Sequence, residues 1–205
     1  MRKNVILLLG LLVMLALPSR AAYLLIPMDN TQTNHLKAYG VAYFVLQREV
    51  EISWLLNYKG GSYLIPYHEM FEKECKMRSV SYQVIADAQA EAILAQIADP
   101  GVNMDEMKLQ KVPRVAVYAP KNSLPWDDAV TLVLTYAEIP YDVLYDDEVL
   151  QGLLPSYDWL HLHHEDFTGQ YGKFWARYHN YPWYQEDVKL QEATAARWDS
   201  RKCRS

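Results

Sequence analysis

The sequence predicts an α/β protein with a mostly parallel sheet and helices on both faces of that sheet. Short continuous apolar runs recur along the chain, as is typical of strands that are buried on both sides. Segments with helical periodicity lie between these runs, and strands that alternate with helices favour parallel pairing. The chain has 205 residues, of which 51% are hydrophobic, so it is long enough to bury a core of its own.

Residues 22–112 are predicted to form an amino-terminal α/β unit. The run from Tyr23 to Met28 is a continuous apolar strand, and the Lys-Gly-Gly sequence at 59–61 is a turn. A helix at 36–47 is indicated by side chains that recur on one face, namely Leu36, Tyr39, Tyr43 and Leu46. The remaining strands are expected at 51–57, 63–66 and 81–86, and the remaining helices at 68–78 and 88–98.

Residues 113–197 are predicted to begin a second α/β unit. Pro125 starts a helix that runs to about Glu138, and Asp127 and Asp128 favour it because they sit in its positive first turn. Strands are expected at 114–118, 141–145 and 159–163, with a short helix at 148–152 and a longer one at 184–197.

The first 21 residues are typical of an export signal. Arg2 and Lys3 form a short positive start, residues 5–17 are uncharged and apolar, and Pro18 ends that run. Small residues precede an expected cleavage between Ala21 and Ala22, which places the mature protein in the periplasm or outside the cell. The alternative is a membrane anchor, although an apolar run of this length is short for a bilayer span.

Charge and cysteine content exclude several classes of protein. The formal net charge is −5 and no Lys/Arg run is present, so neither nucleic acid nor, after cleavage, an anionic membrane is an expected partner. The two cysteines, Cys75 and Cys203, form no Cys-x-x-Cys pair, which excludes the usual zinc-ribbon and thioredoxin patterns. The sequence implies no cofactor and does not predict the oligomeric state.

Polar residues at the carboxyl ends of the predicted strands are the candidates for a ligand site. Ligands bind outside these strand ends in doubly wound sheets. The candidates are Asp29, Asn57, Gly60, Gly61, Asp127, Asp128, His163, His164, Glu165 and Asp166.

The histidine-rich segment 161–166 allows three interpretations. His161 lies within a strand and is expected to be buried against a helix, hydrogen-bonded and neutral. His163 and His164 point to opposite faces and no second ligand pair exists elsewhere, so a metal site is not favoured. The segment either binds a small polar ligand, with a carboxylate holding the tautomer of an imidazole, or satisfies backbone groups of the loop.

Two further motifs have a structural and a functional interpretation. The sequence "NYKGGSY" at 57–63 lacks the Lys-Ser/Thr of a phosphate loop and is better explained as a hairpin turn. The aromatic sequence "YHNYPWY" at 178–184 leads into a helix with Pro182 in its first turn. It favours packing over carbohydrate binding.

The sequences "WDDAVTLVLTYAEIPYDVLYDDEVL" (126–150) and "YDWLHLHHEDFTGQYGKF" (157–174) resemble exported bacterial proteins labelled asparagine synthetase B. The resemblance extends over nearly the whole mature chain, from residue 23 to about 196. Residues 113–166 are similar to the opening of a class I glutamine-amidotransferase-like domain, which implies a flavodoxin-like sheet. The chain departs from a glutamine-hydrolysing asparagine synthetase, because it has neither an amino-terminal Cys of the mature chain nor a Ser-Gly-Gly-x-Asp-Ser loop.

This resemblance implies an exported amidotransferase-like protein that binds or hydrolyses a small polar ligand. The family nucleophile follows a later strand, so this chain is expected to lack the nucleophile region and to be inactive. The alternative is a non-catalytic envelope protein that binds or interacts through the same fold. Residues 198–205 are expected to be a frameshifted tail of a truncated chain, because restoring one nucleotide before Trp198 permits a family-like continuation.

We predict cleavage of the exported chain close to Ala21. Mass spectrometry of the mature protein should find Ala22, or a residue within a few positions of it, at the amino terminus. A chain that stays in the cytoplasm and keeps Met1 would contradict the prediction.

Overall fold

The computed structural model describes residues 21–119, 128–162 and 171–202. The chain divides into two compact units, Met1–Lys111 and Val112–Ser205. No helix of the described ranges is both long and apolar enough to cross a membrane.

The described part of the first unit alternates strands with helices, except at one hairpin. Its strands are β1 (Ala21–Ile26), β2 (Ile52–Leu56), β3 (Ser62–Pro66), β4 (Gln83–Ala86) and β5 (Asp105–Leu109). Its helices are α1 (His35–Leu46), α2 (Glu69–Met77) and α3 (Asp87–Ile97), and a 3-10 turn covers Tyr58–Gly60. Each of these elements overlaps a segment of the same type in the sequence analysis, except β5, which had no predicted counterpart.

The sheet of the first unit is antiparallel, with the order β4-β1-β3-β2-β5. β3 pairs in antiparallel fashion with both β1 and β2, so β1 and β2 run in the same direction but do not touch. Strand order and connections from β1 to β4 are those of the split βαβ arrangement of ferredoxin-like domains.

The prediction of a mostly parallel, flavodoxin-like or amidotransferase-like sheet is therefore wrong. The chain is mixed α/β, with this antiparallel sheet of five strands and a small parallel sheet of three strands in the second unit. The physical reason is the short connection between β2 and β3: a turn of a few residues can join only antiparallel neighbours, because a parallel pair needs a long crossover.

The core of the first unit lies on both faces of its sheet. One face packs against α3 through Leu25, Leu55, Leu64, Ile85, Ala90 and Ile97. On the other face the ring of Tyr39 in α1 contacts Tyr63 of β3, and Phe44 of α1 contacts Phe71 of α2. Two-sided burial explains why the central strands β1, β2 and β3 are apolar runs even though they pair in antiparallel fashion.

The turn between β2 and β3 has an unusual backbone and lies against the end of β1. Gly60 and Gly61 have φ values of 78° and 92°, which glycine adopts without the steric cost that a Cβ would bring. The amide of Met28 donates to the carbonyl of Lys59 at 3.0 Å. A Cβ on Gly60 would lie 2.4 Å from the carbonyl oxygen of Met28, so no larger residue fits without a backbone shift.

The second unit contains a parallel sheet of order β7-β6-β8 within the described residues. Its strands are β6 (Val115–Tyr118), β7 (Asp142–Leu144) and β8 (Trp159–Leu162). Its helices are α4 (Ala129–Ala137), α5 (Asp146–Leu150), α6 (Tyr171–Tyr178) and α7 (Pro182–Lys202), with a 3-10 turn at Leu154–Ser156. Val115, Val117, Ala119 and Leu134 form the buried cluster between β6 and α4.

The bounds of several elements in this unit differ from the sequence expectation, most clearly at two helix ends, and α6 had no predicted counterpart. The helix expected from Pro125 begins at Ala129, because the carboxylate of Asp128 accepts the first amides as its N-cap. The last helix continues to Lys202, although its regular part was expected to end at residue 197. Trp198 supports this longer helix, since its Nε1 donates to Asp147 at 3.1 Å.

We predict that Gly60→Ala destabilises the first unit far more than Gly61→Ala. Both changes force alanine into a left-handed conformation, which costs about 1–2 kcal/mol. The Gly60 variant adds a clash with the backbone, worth about a further 1–3 kcal/mol. Urea unfolding measures the difference, and equal losses for the two variants would show that the approach to Met28 imposes no constraint.

Candidate functional site

The parallel sheet has a switch point between β6 and β8. β6 is the central strand. The chain passes from β6 to β7 on one side of it and then to β8 on the other side. In open α/β sheets, ligands bind in the crevice outside the carboxyl ends of strands at such a point. The described residues at this edge are Tyr118 at the end of β6 and Ala119 after it, and His161 and Leu162 at the end of β8.

Asp128 and His161 form a hydrogen-bonded pair beside this edge. His161 Nε2 lies 2.8 Å from Asp128 Oδ2. His161 pairs in register with Val117, which belongs to the cluster packed against α4, so its imidazole lies on the α4 side of the sheet. The side chain of Asp128 is 8% exposed and that of His161 is 21% exposed. The carboxylate is thus buried while part of the imidazole reaches solvent.

The amino terminus of α4 holds Asp128 in place. Its Oδ1 accepts the amide of Val130 at 2.5 Å and that of Thr131 at 3.3 Å. The hydroxyl of Thr131 donates to the backbone carbonyl of Asp128 at 3.0 Å. Because one carboxylate oxygen caps the helix, the other can meet His161 at a position that backbone geometry determines.

This arrangement selects one tautomer of His161. A carboxylate only accepts hydrogen bonds, so Nε2 carries the proton that is donated to Asp128. In the neutral ring, Nδ1 then carries a lone pair, and within the described residues it has no hydrogen-bond partner. The pair can accept a hydrogen bond from an N–H or O–H group of a ligand, or a proton from it.

The structure places the predicted site residues of the second unit in two groups. Asp127 and the segment His163, His164, Glu165 and Asp166 lie outside the described residues. Asp128 is described, and it belongs to the site as a helix cap. His161 was expected to be buried against a helix and hydrogen-bonded. It is hydrogen-bonded to the N-cap of α4, but its side chain is 21% exposed. It was not among the ligand candidates predicted from the sequence. The alternation of side chains along the strand, which puts His161 on one face with Trp159, was the available signal.

The candidates of the first unit meet at the turn between β2 and β3. Gly60 lies against the peptide that precedes Asp29. Asn57 Nδ2 donates to the carbonyl of Asn103 at 2.8 Å, and the carbonyl of Gly61 accepts from Trp54 Nε1 at 3.0 Å. These hydrogen bonds stabilise the turn, and this structural role accounts for the presence of Asn57 and Gly61.

Asp29 is likewise engaged by its own loop. Its Oδ1 accepts the hydroxyl of Thr31 at 2.5 Å and the amide of Thr31 at 2.9 Å. The hydroxyl, and then the amide, lower the pKa of Asp29 because both favour the charged carboxylate. Asp29 is therefore an anionic loop residue with local partners.

Cys75 lacks the properties of a thiol nucleophile. It lies in α2 with none of its surface exposed. Burial, with a smaller contribution from Glu72 and Glu74, raises its pKa from 9.0 to about 12. The thiolate is the reactive form of cysteine, so this thiol is unreactive at neutral pH. Cys203 lies outside the described residues.

Metal-binding geometry is not found in the described ranges. No group of three or more His, Cys, Asp or Glu side chains there could hold an ion. The segment 163–166, which was weighed as a metal site from the sequence, falls outside these ranges.

Comparison with protein-family models, with curated proteins and with solved structures gives no match to this chain.

We predict that Cys75 makes the first unit less stable at high pH. The pKa in the folded state is raised above the ordinary value, so the contribution of the neutral thiol is complete below about pH 9. It is lost as the pH rises from about 9 towards 12, since only the unfolded chain then ionises freely.

The measurement is urea unfolding between pH 7 and pH 11 for the Cys203→Ser protein and for Cys203→Ser/Cys75→Ala. The first protein should lose stability more steeply above about pH 9. Identical pH profiles would contradict the burial of the thiol. Slow native labelling by a thiol reagent at pH 8, with fast labelling in urea, is the accompanying control.

Proposed function

We propose that this chain is an exported protein whose second unit binds a small polar ligand beside β6 and β8 without reacting with it. The observation that carries the proposal is the 2.8 Å hydrogen bond between His161 and Asp128 at the switch point of the parallel sheet. Export is supported by the charged start and the apolar run of residues 1–21.

The state of the imidazole favours a ligand that donates a hydrogen bond. With its Nε2–H held by Asp128, His161 offers the Nδ1 lone pair as an acceptor. A carboxamide NH2 group is a suitable donor, because it is neutral and planar and leaves no charge uncompensated. The resemblance of residues 113–166 to the opening of a class I glutamine-amidotransferase-like domain supports the same chemical class, and we take L-glutamine as the first probe.

Binding without hydrolysis is supported by the surroundings of His161. A hydrolase that attacks through a Ser or Cys nucleophile needs that hydroxyl or thiol within hydrogen-bond reach of the imidazole that activates it. Among the described residues, the hydrogen-bond partner of His161 is Asp128. Cys75 lies in the other unit and is buried with a raised pKa.

We predict that L-glutamine binds the chain and that His161→Ala weakens this binding by about tenfold or more, the effect of losing one hydrogen bond and its packing. L-glutamate, which lacks the carboxamide donor, should bind more weakly than L-glutamine. Isothermal titration calorimetry measures both, and His179→Ala serves as the control because His179 follows α6 and lies outside this site.

Unchanged binding by His161→Ala would contradict the placement of the ligand. The absence of measurable binding of L-glutamine and of L-asparagine by the native chain would contradict the ligand class. Release of ammonia from L-glutamine, assayed on the same samples, would contradict binding without reaction and would favour an amidotransferase-like hydrolase.

A further inference from the structure

A groove between α6 and α7 has no role in the proposed ligand site. Its volume is about 640 Å³, and its lining is Trp175, His179, Tyr184, Gln185, Val188, Lys189 and Glu192. Small-molecule sites commonly have volumes of about 300–1,000 Å³ and combine aromatic side chains with a few polar groups. Both the size and the composition of this groove fit that class.

One wall of the groove is an aromatic platform. The rings of Trp175 and His179 stack with centroids 4.3 Å apart and planes 15° apart. His179 Nδ1 lies 2.8 Å from the backbone carbonyl of Trp175, which fixes the imidazole against the indole. Trp175 remains 50% exposed. A large rigid ring surface is therefore held in one orientation and still open to solvent.

The other wall is one face of α7 and carries polar groups of both signs. Gln185, Val188, Lys189 and Glu192 follow the helical spacing of three and four residues, so they point to the same side. Within the described residues, neither Lys189 nor Glu192 has an ion-pair partner. An ammonium, a carboxylate and a carboxamide thus face one groove.

This combination selects a neutral ligand with an apolar face and a rim of hydroxyl groups. Opposite charges on the same wall disfavour a strongly charged ligand, since it would be repelled by one of them. Hydroxyl groups both donate and accept, so one ligand can satisfy Lys189, Glu192 and Gln185 together. The apolar face of a pyranose ring can cover the exposed surface of Trp175.

We propose that the groove between α6 and α7 is a binding site for a neutral oligosaccharide. The sequence offered packing and carbohydrate binding as alternatives for the aromatic segment 178–184. Under this proposal the segment contributes to both. Tyr184 is 8% exposed and packs into the interior while it also lines the groove, and His179 of the same segment lines the groove as well. This inference is independent of the proposed function, because it uses different residues and a different ligand class.

The test is calorimetric titration of the full chain with maltotriose, cellotriose and triacetylchitotriose. At least one of these neutral trisaccharides should bind, and Trp175→Ala should weaken that binding by about tenfold or more. Trp183→Ala is the matched control, since Trp183 is 49% exposed on the same helical pair but outside the groove lining. It should change the affinity by less than about twofold.

Two further variants keep the test decisive if Trp175→Ala does not fold. Lys189→Ala and Glu192→Ala are exposed helix positions where alanine preserves the helix, and each should weaken binding of the same trisaccharide several-fold. The proposal is overturned if none of the three trisaccharides binds, if Trp183→Ala loses as much affinity as Trp175→Ala, or if both α7 variants bind as the native chain does.

Discussion

The carboxylate of Asp128 serves two elements of the second unit at once, and the candidate site depends on this double contact. One oxygen accepts the first amides of α4, and the other accepts the Nε2–H of His161. The helix is thereby started at a defined residue, and the imidazole of the neighbouring strand is held in one tautomer. Asp128 therefore both caps α4 and orients the imidazole of His161, which is the candidate ligand-binding group.

The first unit depends on a different constraint, the tight turn that joins β2 to β3. Its glycines adopt left-handed conformations and allow the backbone to approach the end of β1. β3, which follows this turn, pairs with both β1 and β2. The polar side chains of Asn57 and Asp29 gathered there form hydrogen bonds with neighbouring loop residues.

The sequence predicted the elements of both units better than it predicted their pairing. Apolar runs indicate burial on two faces, and the central strands β1, β2 and β3 of the first unit are buried on two faces. Burial does not report strand direction, so the inference of a parallel sheet failed. The Gly60–Gly61 turn was the sequence signal for strand direction, because a hairpin at that point requires β2 and β3 to be antiparallel neighbours. In the second unit, where long connections separate every strand, the parallel expectation agrees with the observed pairing.

The sequence predicted one member of the Asp128–His161 pair as a ligand candidate. Asp128 was chosen because it lies beyond the carboxyl end of a predicted strand, whereas His161 was expected to have a structural role. Only a contact across 33 positions of sequence shows that these two belong together. The most direct test is nitrogen-15 NMR of the imidazole of His161 in the neutral state. We expect a protonated Nε2 and an unprotonated Nδ1 in the native chain, and in Asp128→Ala a mixture of tautomers in which the Nδ1–H form becomes detectable. A protonated Nδ1 in the native chain would contradict it, because the lone pair would then face Asp128 and no acceptor would remain for a ligand.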